Sequence, residues 1–187
     1  MVRNRVAAVR SQSHAFADSA AGLDWAVPVL PDTSPLGLTF WHLPRTLDWL
    51  VNTTIRGTHE VADDQRFGDL PDPDMFGFGT GLSSDQARAA AANVHPEPLA
   101  AYVDAVHEAA DEWLATLTAD DLDRAVPEFM DRQRSRPAYN APAALAEVEH
   151  LPDLPIGVLL MRPATSHLLM HLGELEVLIQ QAKRAAH

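Results

Sequence analysis

An all-α fold is predicted for this chain: a bundle of about four main helices joined by long Pro/Gly-rich connections. Three observations predict it. Apolar residues recur with the 3.6-residue period of a helix that buries one face. No stretch shows the strict alternation of a half-buried strand. Proline and glycine collect in two segments, residues 58–82 and 127–155, rather than at regular short intervals.

The first helix is expected within residues 2–22, which hold no Pro and no Gly before Gly22. Val2, Val6, Val9 and Phe16 fall roughly on one face of it. Pro28, Pro31 and Pro35 then mark a connection. Ser34-Pro35 reads as N-cap and first helical position of a second helix. Leu43, Leu47 and Leu50 continue it, and Gly57 is its natural stop. Pro44 is expected to kink this helix or to mark its true first turn.

Residues 58–82 read as a long loop, and a loop of that length in a compact domain is often functional or mobile. Gly77-x-Gly79-x-Gly81 lacks the preceding strand and the spacing of a nucleotide loop, so a flexible lid or turn cluster is expected. Ser83 to Gln86 offers a capping box for a short Ala-rich helix, with Pro96 and Pro98 separating it from the next. In the third long helix Leu99, Tyr102, Val103, Val106, Ala110, Trp113, Leu114 and Leu117 trace one stripe. Thr118 to Asp123 resembles a helix end and a new N-cap. A short helix near Ala143–Glu149 interrupts the second irregular segment. The last helix is expected from about Pro163 to Ala185, with Ile156–Met161 as its extension and Pro163 as a kink.

The chain has 187 residues, a length that suits one domain, here 1–187, with one core. Hydrophobic residues make up 47%, which argues against disorder throughout. No apolar run approaches the roughly 20 residues that span a bilayer. Arg3, Arg5 and Arg10 are followed by Ser11, Ser13, His14 and Asp18 rather than an apolar core, so no secretory signal is expected. A soluble, cytoplasmic protein without a membrane partner is the expectation. The formal net charge of -12 repels phosphate backbones and argues against nucleic-acid binding. Arg132, Arg134 and Arg136 form the one short basic run, which reads as a solvated loop.

There is no cysteine, which excludes disulfides, iron–sulfur clusters, thiolate zinc sites and a cysteine nucleophile. A transition metal would have to be held by His, Asp or Glu. Of the nine histidines, His167 and His171 stand four apart on the final helix. That spacing puts both imidazoles on one face, where they can chelate a divalent ion. They can equally be two polar residues on a partly exposed face. A zinc-peptidase motif is excluded, because Leu168 stands where it needs Glu. Glu174, one turn beyond His171, is placed either to orient that ring or to face solvent. His42 lies in the apolar stretch Leu38–Leu43, so it needs a partner, whether a carbonyl or a metal. His107 borders the stripe of the third long helix and reads as packed or surface. His14, His59, His95, His150 and His187 read as solvated.

Two stretches together resemble the DinB-like four-helix-bundle metal proteins. One is Phe40-Trp41-His42-Leu43-Pro44-Arg45-Thr46; the other is His167-Leu168-Leu169-Met170-His171-Leu172-Gly173-Glu174-Leu175. The resemblance implies a three-histidine site: one ligand, His42, from the second helix and two, His167 and His171, from the last. It also implies a divalent metal such as zinc, nickel or iron, a homodimer, and, in some related members, a thiol-dependent isomerase or S-transferase that uses a low-molecular-weight thiol such as mycothiol or bacillithiol. The segments 58–82 and 127–155 are longer than such a bundle requires, which bears on pocket shape and substrate.

Three functions follow as expectations. A substrate thiol ionised by the metal would serve a transferase or isomerase, so the missing cysteine is no obstacle. Arg45 and Arg162 are candidate anchors for a carboxylate or thiol cofactor, or else ordinary packing and surface residues. Metal-dependent hydrolysis of a small-molecule substrate would need a general base, for which Glu174 is the candidate. A non-catalytic bundle that senses, stores or is stabilised by a metal would favour a fourth, closing ligand. Asp48, six residues beyond His42, should face away from the site.

Overall fold

A computed structural model describes residues 2–185 of the chain. Its α-helices, in chain order, are α1 (Val2–Ser19), α2 (Leu36–Asp48), α3 (Pro73–Phe76), α4 (Ser84–Ala91), α5 (Pro96–Leu114), α6 (Ala119–Leu122), α7 (Phe129–Gln133), α8 (Pro142–Val148), α9 (Ile156–Met161) and α10 (Leu168–Ala185). Two π-helical segments, Trp49–Arg56 and Arg162–His167, continue α2 and lead into α10. The described residues contain no strand.

Four elements surround the core. Helix α1 packs on α5, α5 on α2, α2 on α10, and α10 back on α1. Most of the stripe foreseen on α5 is buried: Leu99, Tyr102, Val103, Val106, Ala110 and Leu114 face inward, whereas Trp113 is half-buried and Leu117 lies past the helix end. On α10 it is Leu168, Leu172, Leu175, Leu178 and Ile179. Helix α2 differs from the other three. Apolar residues surround it, and every residue from Leu36 to Asp48 except His42 is buried. Such a helix forms the centre of a core rather than its edge. Trp41 and Trp49 are 1% and 2% exposed, and Trp25 stacks on Phe40 at 4.6 Å.

Gly57 ends the π segment after α2 as expected, with φ 66° and its N–H bonded to the Thr53 carbonyl. The capping boxes at Ser83 and Thr118 both form. Some local readings are corrected. Ser34 does not cap α2; Pro35 holds the N-cap position, where no side chain bonds. Pro44 lies inside α2 and does not start it, and Pro96 and Pro98 belong to the first turn of α5, where no N–H is missed. Residues 58–82 are not one long loop. They fold into two 3-10 turns and α3, and bury Glu60, Phe67, Leu70, Phe76 and Phe78. The Gly77–Gly81 stretch is accordingly a packed cluster of turns rather than a free lid.

Candidate metal centre

His42 sits on the one open position of the buried helix α2. His167 closes the π segment Arg162–His167, and His171 lies one turn on in α10. Pro163 explains the irregular entry to α10, because it has no N–H to offer the carbonyl of Leu159 four residues back. The hydroxyls of Thr165 and Ser166 donate to the Met161 carbonyl at 2.7 and 3.0 Å, satisfying an acceptor that the disturbed ladder exposes. π-helical turns are frequent beside functional sites.

The three imidazoles meet across α2 and α10. Ring centroids lie 5.4 Å apart for His42 and His167, 4.8 Å for His42 and His171, and 4.6 Å for His167 and His171. The planes are steeply inclined, by 74° to 89°, so the rings face a common point instead of stacking. One nitrogen from each ring lies within 4.8 Å of the other two. The Nε2 atoms of His42 and His167 are 3.2 Å apart. Two nitrogens held at ordinary zinc–imidazole bond lengths stand roughly 2.9–3.4 Å apart, so that pair already has the spacing of common ligands. The ligand nitrogen of His171 lies within 4.8 Å of both. The donor set therefore fits a divalent ion.

What surrounds the rings decides which nitrogen each presents. His42 Nδ1 donates to the carbonyl of Phe78, which leaves Nε2 pointing to the shared space. Gly79 permits that contact. Its φ is +94°, and a Cβ there would stand 3.4 Å from His42 Nδ1 and 3.5 Å from Trp41. His171 Nδ1 donates to Glu174 Oε2 at 2.9 Å, which likewise leaves Nε2 for a metal. Thr46, one turn after His42, brings its hydroxyl to 3.3 Å from His42 Nε2. Burial, followed by the neighbouring His171, pushes His42 down to about 3. Burial and His171 also lower His167. Both rings are thus neutral at physiological pH, the form that ligates. The bond from His171 holds the Glu174 carboxyl below its usual range.

The rings open into a cavity of about 400 Å³. Leu38, Val148, Leu151 and Pro163 give it apolar wall, and Glu147, His150 and Arg162 add polar groups. Phe78, Gly79 and Thr80 come from residues 58–82, whereas Glu147 to Leu151 come from residues 127–155. The two long segments therefore build the walls around the histidines. Glu147 and Arg162 both act on His167, the first raising and the second lowering its affinity for a proton. No protein-family model matches this chain, and no curated protein matches it significantly.

The structure brings together His42, His167, His171 and Glu174, and adds Arg162 on the wall. Arg45 is a correction. It is fully buried, and its guanidinium donates to Glu60 at 2.8 Å, Tyr139 at 2.5 Å, Tyr102 at 3.0 Å, Asp48 at 3.2 Å and the Gly77 carbonyl at 3.3 Å. It anchors protein, not ligand. Asp48 faces away from the histidines as expected, accepting from Asn52, Tyr102 and the backbone N–H groups of Val61 and Ala62. His107 is packed, at 3% exposure. His14 is not simply solvated; it bonds to Asp104 at 2.8 Å. His59 and His95 are exposed, and His150 is exposed at the cavity. His187 lies outside the described residues.

Sequence reasoning missed Phe78, Gly79, Glu147 and His150 as parts of this site. Only the glycine offered a signal: Gly77-x-Gly79-x-Gly81 marked positive-φ backbone, with nothing to say what it approached.

Proposed function

We propose that His42, His167 and His171 hold one divalent metal ion, and that the chain is a metal-dependent enzyme of the thiol-using kind, an S-transferase or isomerase acting on a small molecule. The observation that carries this reading is the convergence of three imidazoles, two with Nδ1 held by protein acceptors, on an open cavity of about 400 Å³. Zinc, nickel and iron all suit such a donor set. The resemblance of the two histidine stretches to DinB-like four-helix bundles supports the same reading, and with it a homodimer and a low-molecular-weight thiol as second substrate.

A bound metal would lower the pKa of a thiol that reaches it and so supply a nucleophile at neutral pH. The chain's own residues prepare that event. Phe78 and Glu174 fix the two rings so that little reorganisation is left for the reaction. Leu38, Val148, Leu151 and Pro163 keep part of the cavity dry, which strengthens every charge interaction inside it. Hydrolysis is the weaker alternative. Its required base, Glu174, is already engaged with His171 Nδ1. A store or structural site is also weaker, since the ligating group among the described residues comprises only the three histidines, with no closing carboxylate.

Metal content of the purified protein tests the reading, beside a variant carrying His42→Ala, His167→Ala and His171→Ala. About one ion per chain in the first and none in the second is expected, with helicity by circular dichroism unchanged. A native chain that takes up no zinc, nickel or iron on reconstitution overturns the metal centre and the enzyme reading with it.

A further inference from the structure

Two opposite charges on the cavity wall have no partner among the described residues. Glu147 lies on α8 and Arg162 begins the π segment that ends at His167; both line the cavity with the histidines. Among the described residues neither side chain makes a salt bridge or hydrogen bond, to the other or to any third group. Many, though not all, of the other arginines are paired; Arg5, Arg56 and Arg134 form no salt bridge among the described residues, but none of these lines the cavity. Arg3, Arg10, Arg45, Arg66, Arg88, Arg124, Arg132 and Arg136 all form ion pairs. Glu174, the other carboxylate on the wall, is already held by His171.

We infer that Glu147 and Arg162 are the two charge anchors of a zwitterionic, cysteine-type aminothiol, whose sulfur faces the three histidines. The inference rests on the metal-dependent, thiol-using reading above. Arg162 would take the carboxylate through the planar fork that suits it. Glu147 would take the ammonium group. Charge balance disfavours the singly charged thiols, while the two wall charges separate a zwitterion from an uncharged thiol. A doubly positive ion with Glu174, Glu147 and Arg162 leaves one positive charge on the site. A thiolate that also carries one carboxylate and one ammonium group brings one negative charge and neutralises it. A thiol with a carboxylate alone leaves Glu147 without a group of opposite charge, and one with an amine alone leaves Arg162 so.

The test uses the cobalt(II)-loaded protein, in which thiolate binding is read by its charge-transfer absorption and needs no knowledge of the reaction. Four probes are titrated: L-cysteine, 3-mercaptopropionate, cysteamine and 2-mercaptoethanol, with retained cobalt measured after each. L-Cysteine is expected to bind at least about tenfold more tightly than either singly charged thiol. Arg162→Gln should bring it down to the level of cysteamine, and Glu147→Gln to that of 3-mercaptopropionate. Both positions are exposed, so neither change threatens folding. Equal affinity for all four thiols overturns the inference alone. So does tight L-cysteine binding that neither substitution weakens, which means chelation through sulfur and nitrogen only. Cobalt uptake without any thiol signal overturns the thiol reading as well, and no uptake overturns the metal centre beneath both.

Discussion

Two of the three candidate ligands, His42 and His171, are held through the nitrogen that does not face the shared space, and their two acceptors differ in kind. The Phe78 carbonyl belongs to the backbone, so no side-chain substitution removes it. Glu174 can be removed. Glu174→Ala should weaken metal affinity by about 10–100-fold, with Glu174→Gln falling between, since the amide oxygen can still accept from His171 Nδ1. Competition against a metal-binding dye measures this, and equal affinity in all three proteins would show that Glu174 does not orient the ring. Gly79 constrains His42 by its closeness. Gly79→Ala puts a Cβ 3.4 Å from His42 Nδ1 on a backbone with φ +94°. It should therefore loosen metal binding and destabilise the fold by about 1–2 kcal/mol. Urea unfolding of the metal-free protein and a metal titration separate the two effects.

Among the elements, α2 governs the rest because it is buried on every side. A buried helix and the π segment that continues it can carry Arg45, Asp48 and Asn52 only if each polar atom finds a partner. They find them in the segments that the sequence left irregular. Glu60 and the Gly77 carbonyl come from residues 58–82, and Tyr139 from residues 127–155. Gln133 adds a link, accepting from Trp49 Nε1 at 2.7 Å and donating to the Tyr139 carbonyl at 3.0 Å. Burial raises Asp48, against the pull of Arg45, and burial of Glu60 is outweighed by Arg45 and Arg136, which hold it below its usual range. Removing one member of such a network strands the others. Arg45→Ala should cost about 3–5 kcal/mol in chemical denaturation. It should also loosen residues 58–82, seen as faster backbone hydrogen exchange around Phe78, and so reach His42 indirectly. An unchanged unfolding midpoint would refute a structural role for this arginine.

For the molecule as a whole, acid is the informative variable. His107 is buried between α1 and α5, with Nδ1 lacking a partner, and burial followed by Arg10 pushes it down to about 4 from 6.5. Asp104 and His14 also face it, with opposite effects. The unfolded chain takes up this proton as pH falls through 6.5, whereas the folded chain excludes it until about 4. Stability is therefore full above 6.5 and declines between these values, by about 1.4 kcal/mol per pH unit for this one group. His107→Leu should flatten that part of the curve. Below the ordinary carboxylate range the depressed Glu60 adds a second loss, because its favourable pairing disappears as pH falls through its folded value. Urea midpoints of metal-free wild type and His107→Leu between pH 7 and 4 give the comparison; parallel curves would contradict it.

The pattern of residues along the chain was enough to locate the longer helices and the histidine pair where α10 begins. Those follow from local rules: an apolar stripe of helical period, a capping box, a glycine in αL geometry, and a four-residue spacing that puts two rings on one face. It also marked His42 as a polar residue in an apolar setting that had to find a partner. The partner, and the whole of the cavity, were decided only by tertiary structure. Phe78 lies 36 residues from His42 and Glu147 lies 20 from His167, and no period or spacing relates such positions. Arg45 shows the same division from the other side. Three residues after a histidine it looked like an anchor for a ligand, but its side chain is enclosed by Asp48 of its own helix and by Glu60, Tyr102, Tyr139 and the Gly77 carbonyl from distant segments. Helical periodicity sets which way a residue points. What it meets there depends on how the irregular segments fold back, and here the buried polar groups of α2, each needing a partner, draw those segments in to wall the three histidines.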